Sequence, residues 1–445
     1  EADLKQAVNA TYAPLRNLYN TTPGANNSGA WAMGEMRSDN TTYIFNPSYR
    51  ATIDQESISD FTNQAANSIS TAKYTTNFQT IARANQVLAS VDGVDFASDS
   101  KNNIKGQALF LRALAYFDLV QYFGKVPLHL TPVTNRDQAA LPLSEVDAVY
   151  AQIITDASEA ATLLPVKSAQ EPGRATSGAA KTLLGNLYAV KKDWPSAETV
   201  LKDVIDSGEY ALLGDYAMTF SVANKNNSES VFEVQYKEGT DGYASGFIYE
   251  MLPMPMTALQ VTAITGASGA QALTVESFNI PTPDLLAAYE SGDLRKDKSI
   301  AYATLGDGKT YPYIKKLLQP HTQAGITGTN WPVYRYSEVL LLYAEALNEQ
   351  GKSVSHYLND VRNRAGLANS TATGQSDIRT AILAERRVEL AFENKRWADL
   401  VRTGNAQTVM AAYGARVKAN PTDYYFPIGF APATSAFGTI SLLFP

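Results

Sequence analysis

The chain contains no cysteine, which excludes disulfides, thiol nucleophiles and thiolate metal sites. Its three histidines, His129, His321 and His356, are scattered along the sequence and leave little for a His-rich metal site or histidine-based catalysis. There is no run of the ~18 apolar residues that a membrane-spanning helix needs, and Glu1 opens the chain without a signal peptide. Basic charge is scarce: 18% of residues are charged and the net charge is −7, which argues against nucleic acid as the main partner. No glycine-rich phosphate loop follows a predicted strand, and no G-x-S-x-G elbow occurs. Asp307–Gly308 in LGDGKTY lacks the acidic spacing of a calcium loop. Nothing singles out a glycosidase carboxylate pair among the 44 acidic residues. These absences point to a binding protein, not an enzyme, with no cofactor and no metal.

The 445 residues, 45% of them hydrophobic, bury a large core in one big domain or in two or three small ones. Helical periodicity dominates. It predicts helices over Ala2–Tyr19, a pair within Asp54–Ser90, the segment from Asn103 to Phe123 closed by Gly124, and Leu143–Leu164 with Ser144 as N-cap. In AAKTLLGNLYAVKKDWPSAETVLKDVIDSG, residues Leu184, Gly185, Tyr188, Ala197 and Leu201 fall at tetratricopeptide spacing, with small residues where two antiparallel helices touch. One such unit cannot bury its own face, so neighbours must stack on it. Tyr334–Gly351 and His356–Ala365 supply a later pair. Between these blocks, 214–332 reads as an irregular insertion with a short strand at Val231–Tyr236 and loops carrying Tyr243, Tyr302, Tyr311, Tyr313 and Trp331.

Ile378–Gly404 reads as one long helix ended by Gly404. Its periodicity places Glu385, Glu389, Phe392, Glu393, Arg396 and Leu400 on one stripe, with Arg386, Leu390 and Trp397 on the stripe beside it. Carboxylates, guanidiniums and apolar groups therefore share a broad face. Glu389 and Glu393 can be read as a catalytic or metal pair, but the interleaved arginines favour a structural ion-pair network.

After the first helix comes a long polar stretch, TTPGANNSGAWAMGEMRSDNTTYIFNPSYR, too rich in large apolar groups for a disordered linker. Trp31, Arg37, Asp39, Asn40, Tyr43 and Phe45 hold, within fifteen residues, the groups that grip sugars. Aromatic faces take C–H patches, and planar polar groups take hydroxyls. Tyr243 and Tyr249 are candidates for a second wall. The competing reading makes the aromatics anchors tying a long loop to the scaffold.

ERRVELAFENKRWADLVRTG resembles the signature near the C-terminus of the SusD/RagB family, surface lipoproteins of the Bacteroidetes that capture nutrients, usually glycans. EMRSDN, the LRALAYFDLV helix before a G-x-V-P turn, the 284–295 stretch and LLYAEALNEQG with LNDVRNRAGL also resemble family segments, in the same order. The apolar ending GFAPATSAFGTISLLFP departs from the family pattern. The resemblance implies an all-α, tetratricopeptide-containing scaffold with long loops and a small irregular or β insertion, folded as one domain over 1–445. Helical scaffold would occupy about 1–213 and 333–404, and the tail 405–445. It further implies oligosaccharide as ligand, a SusC-like TonB-dependent transporter as partner, and a lipid anchor on a cysteine upstream of Glu1 at the outer-membrane surface. A peptide-binding member would want an extended groove with backbone-pairing groups. A tetratricopeptide interaction scaffold would have its loop aromatics buried.

Overall fold

The computed structural model describes residues 1–20, 29–47, 53–273, 277–429 and 441–444. Tyr49 and most of the apolar tail lie outside these.

The scaffold is a stack of antiparallel helices: α1 (Ala2–Tyr19), α2 (Ser68–Val91), α3 (Ser98–Phe123), α4 (Val146–Leu163), α5 (Ser177–Lys191), α6 (Trp194–Asp206), α7 (Tyr336–Glu349) and α8 (Ser355–Arg364). From α1 to α7 each helix packs on the next, so the face that one helical pair cannot bury is covered by its neighbour. Local chemistry sets the ends. Asn67 caps α2 by accepting from the Ile69 and Ser70 amides, Thr176 caps α5 and Asp193 caps α6. Gly124 ends α3 at φ +71°, in the half of backbone space that glycine enters freely. At α4 the expected cap is displaced: Glu145 holds the N-cap position, while the Ser144 amide donates to Val126 O in a lone β-bridge. Gly185 shows why the tetratricopeptide spacing needs a small residue, since a Cβ there would lie 2.4 Å from Leu201 Cδ2 on α6.

Among the described residues, six short strands form three antiparallel pairs. β1 (Thr41–Thr42) pairs with β3 (Ile280–Pro281), β2 (Ser230–Val234) with β6 (Trp331–Arg335), and β4 (Ile300–Thr304) with β5 (Thr310–Ile314). The first pair ties the end of the N-terminal loop to the insertion.

The single helix expected over Ile378–Gly404 is two helices. α9 (Gln375–Glu389) and α10 (Arg396–Arg402) are separated by a turn in which Phe392 and Asn394 take φ of 70° and 64°. A left-handed residue stops helix propagation, and the freed backbone groups need partners in the core. The Phe392 amide donates to Glu35 Oε1 at 2.7 Å. Glu389 O accepts from Arg335 Nη2, Lys316 Nζ and Tyr216 Oη, and Ala391 O accepts from Lys316 Nζ. Periodicity cannot register such a break, because its cause lies in distant segments. Gly404 does end the second helix, at φ +74°.

The mixed face of α9 forms an ion-pair network, as the interleaved arginines suggest. Glu389 meets Arg295 at 3.0 Å, Arg335 at 2.9 Å and Arg364 at 2.6 Å; Glu393 meets Arg335 at 2.7 Å and Lys316. Glu229 bridges Arg335 and Arg364, and Glu385 bridges Arg295 and Arg362. Burial acts to raise the Glu389 carboxyl, but Arg364, Arg335 and Arg295 outweigh it, and its pKa lies well below the ordinary range. Removing one partner of such a network strands the others: Glu389→Gln is expected to lose about 3–5 kcal/mol of stability, read as a lowered urea midpoint. An unchanged midpoint would contradict the network's structural role.

Candidate functional site

The EMRSDN segment is internal. Residues Ala32–Met36 form one π-helical turn, and Trp31, Arg37, Asp39, Asn40 and Tyr43 are each at most 2% exposed. This corrects the expectation of a sugar-gripping surface here: Arg37, Asp39, Asn40 and Tyr43 are buried and bonded to protein groups. Asp39 pairs with Arg396 at 2.8 Å and Arg387 at 2.9 Å. Burial would raise its pKa, yet Arg396 and Arg387 hold it below the usual value. Asn40 donates to Glu35 Oε1 and accepts from Arg387. The Arg37 guanidinium lies between the rings of Phe61 (4.3 Å) and Phe444 (4.2 Å), and burial lowers its pKa to about 9. The Tyr43 hydroxyl donates to Asp60. Phe444 also stands near Tyr122 and Phe123 and packs as core. Gly34 permits the close approach, since a Cβ there would lie 2.2 Å from Asn394 Oδ1.

Among the named candidates, Phe45, Tyr243 and Tyr249 remain at least partly accessible. Tyr249 is half-buried, 2.6 Å from His321 Nε2. Because Gln319 O, against Nδ1, can only accept, Nδ1 carries the proton and Tyr249 donates to Nε2. Tyr243 is 47% exposed and lies on α1 away from these rings, with its face 4.8 Å from the Arg16 guanidinium.

Phe45 lies where three segments converge. Its amide donates to Tyr425 O, and the Ile44 amide to Ser277 O. Tyr425 anchors that junction: its hydroxyl donates to Pro281 O and its ring packs against Tyr311. Burial chiefly raises the Tyr425 phenol, and the nearby Tyr302 and Tyr311 phenols add to the effect. Tyr302, 52% exposed, projects from β4 on the face opposite Ala301 and Ala303, which turn toward the Tyr311–Tyr313 core. Phe45 and Tyr302 thus present accessible rings on a rigid base, beside exposed Pro47. The sequence reading did not single out Tyr302. Its signal was the Asp307–Gly308 pair, a hairpin turn with Gly308 at φ +77°, after a strand of alternating exposure.

Among the described residues, no group of three or more His, Asp or Glu side chains could hold a metal ion, and no helix is long and apolar enough to cross a membrane.

Glu35 makes the buried segment pH-sensitive. Burial raises its pKa to about 7, against the lowering effects of the Phe392 amide and Asn40. A carboxyl whose folded pKa exceeds its unfolded value stabilises most below the unfolded pKa, and that stability is lost as pH rises through about 7. The loss amounts to roughly 3 kcal/mol. Glu35→Gln keeps an oxygen for both donors and should flatten this part of the profile. Melting temperatures of wild type and variant from pH 5 to 8 check it; parallel curves would refute it.

The SusD family pattern matches residues 288–427, and a family described as starch-binding associating with outer membrane matches residues 2–189. SusD-like protein P25 of Formosa agariphila is 26% identical over 91% of this chain and 83% of its own. A solved structure of a laminarin binding SusD-like protein superposes with a TM-score of 0.77 at 27% identity, covering 96% of each chain. Surface glycan-binding protein A from Bacteroides thetaiotaomicron, in complex with laminarihexaose, has the same fold at a TM-score of 0.77 and 21% identity, covering 92% of this chain and 91% of that one.

Proposed function

The chain belongs to the SusD/RagB family, and from that premise we propose that it captures oligosaccharides at the cell surface and passes them to a TonB-dependent outer-membrane transporter of the SusC kind. It binds without catalysis, held at the outer membrane by a lipid on a cysteine upstream of Glu1.

The observation that carries this reading is the accessible ring pair on the insertion side. Phe45 and Tyr302 stand where the N-terminal loop, the β4–β5 hairpin and the Tyr425 turn meet. Sugar C–H faces stack on such rings. The laminarin-binding relative supports the ligand class. The buried charge network holds this surface still, and a pre-ordered site loses less entropy when a flexible chain docks. Tyr249 belongs to the interior side of the same wall and acts through its bond to His321.

Calorimetric titration against laminarihexaose, a maltooligosaccharide and short peptides tests the reading. Phe45→Ala and Tyr302→Ala should each weaken glycan binding by about tenfold or more, or about 1.4 kcal/mol, with circular dichroism unchanged. Peptide binding with silence on every saccharide would overturn glycan capture. Glycan binding indifferent to both variants would move the site away from this face.

A further inference from the structure

A polar groove of about 170 Å3 lies between α1, α2 and the Gly242–Ala244 loop, and shares no lining residue with the Phe45 face. Arg16, Asn17, Gln79 and Arg83 line it. The Arg16 guanidinium lies over one face of Tyr243, a ring 47% exposed. Arg83 is exposed and donates through Nη1 to Ala10 O, which orients the rest of its guanidinium. Arg16 also borders a hollow of about 310 Å3 that runs past Tyr12 and Gln235, so a chain longer than one unit has room to continue.

Neither guanidinium meets a carboxylate among the described residues. The nearby acids are engaged elsewhere: Asp241 with Lys237, Glu171 with Arg174, and Glu233, in the adjoining hollow, with the Asn226 amide. A protein of net charge −7 has carboxylates to spare, yet this groove gathers two cations without one. Many of the chain's other arginines are closely paired, as at Arg335 and Arg402. A planar guanidinium takes a carboxylate or sulfate through paired hydrogen bonds, and a Tyr face takes a sugar ring.

We propose that this groove is a second saccharide subsite, selective for an acidic unit bearing a uronate carboxylate or a sulfate ester. The acidic group lies between Arg16 and Arg83, and its sugar ring packs beside Tyr243 at the groove rim, where Tyr243 holds Arg16 in place. The proposal rests on the glycan-capture reading for its ligand class.

The test is calorimetric titration with an alginate-derived tetrasaccharide, a sulfated carrageenan tetrasaccharide, laminarihexaose and sodium sulfate. The proteins are wild type, Arg16→Gln, Arg83→Gln, Tyr243→Ala and Phe45→Ala. At least one acidic tetrasaccharide should bind, and the two acidic probes separate carboxylate from sulfate recognition. Its affinity should fall about tenfold or more in each groove variant and fall again as salt rises from about 50 to 300 mM. Phe45→Ala should leave it unchanged. Acidic probes that do not bind, or that bind equally well to both arginine variants, overturn the subsite. If laminarihexaose still binds in a Phe45-dependent manner, glycan capture stands without it. Acidic binding with no laminarihexaose binding supports the groove and removes the Phe45 face. Silence on every saccharide overturns both. Sodium sulfate competing fully with the tetrasaccharide would reduce the site to a simple anion site and overturn the saccharide claim.

Discussion

The structure depends on the charge cluster around Glu389. Its carboxylate meets Arg295 from the insertion, Arg335 at the end of β6 and Arg364 from α8, and its backbone oxygen takes Lys316 and Tyr216. One residue of α9 therefore fastens three separate segments: the insertion, β6 and α8. Each charge is taken out of water, so the cluster is tolerable only when all its members are in place. That demand makes the geometry specific: a helical stack alone would let the 214–332 segment lie in several ways, whereas buried partners admit one.

The N-terminal loop answers a different need. The left-handed turn at Phe392 and Asn394 opens the helix and leaves a backbone amide without its usual acceptor. Glu35 supplies the acceptor, Asn40 and Asp39 hold Arg387 and Arg396 on either side of the turn, and Trp31, Met33 and Met36 fill the space. The polar groups that resemble sugar-gripping residues are thus committed to protein partners. Their burial carries the loop outward to Phe45, where the first ring with access to solvent appears.

Recognition and support are accordingly divided. The tyrosines mostly serve the interior: among the described aromatic rings only Tyr243 and Tyr302 are largely exposed. Ionic specificity sits inside, where it sets the shape, and the exposed rings of Tyr243 and Tyr302 sit on loop and hairpin residues that the shape holds still. Such a division lets surface rings differ between relatives while the fold persists at identities of 21–27%.

Periodicity and spacing in the sequence determined the helical stack, the Gly185–Leu201 contact, the β2 strand and the ion-pair character of α9, because each depends on residues near one another in the chain. The family followed from short segments in a fixed order. Only the tertiary structure decided that Ile378–Gly404 is two helices, that the Trp31–Tyr43 stretch is core and that Tyr302 faces solvent. Those outcomes turn on partners far away in sequence: Glu35 lies 357 positions from Phe392, and Arg37 rests on Phe444. Side-chain identity states what a residue can bond to, but burial decides whether a protein group or a ligand makes the bond.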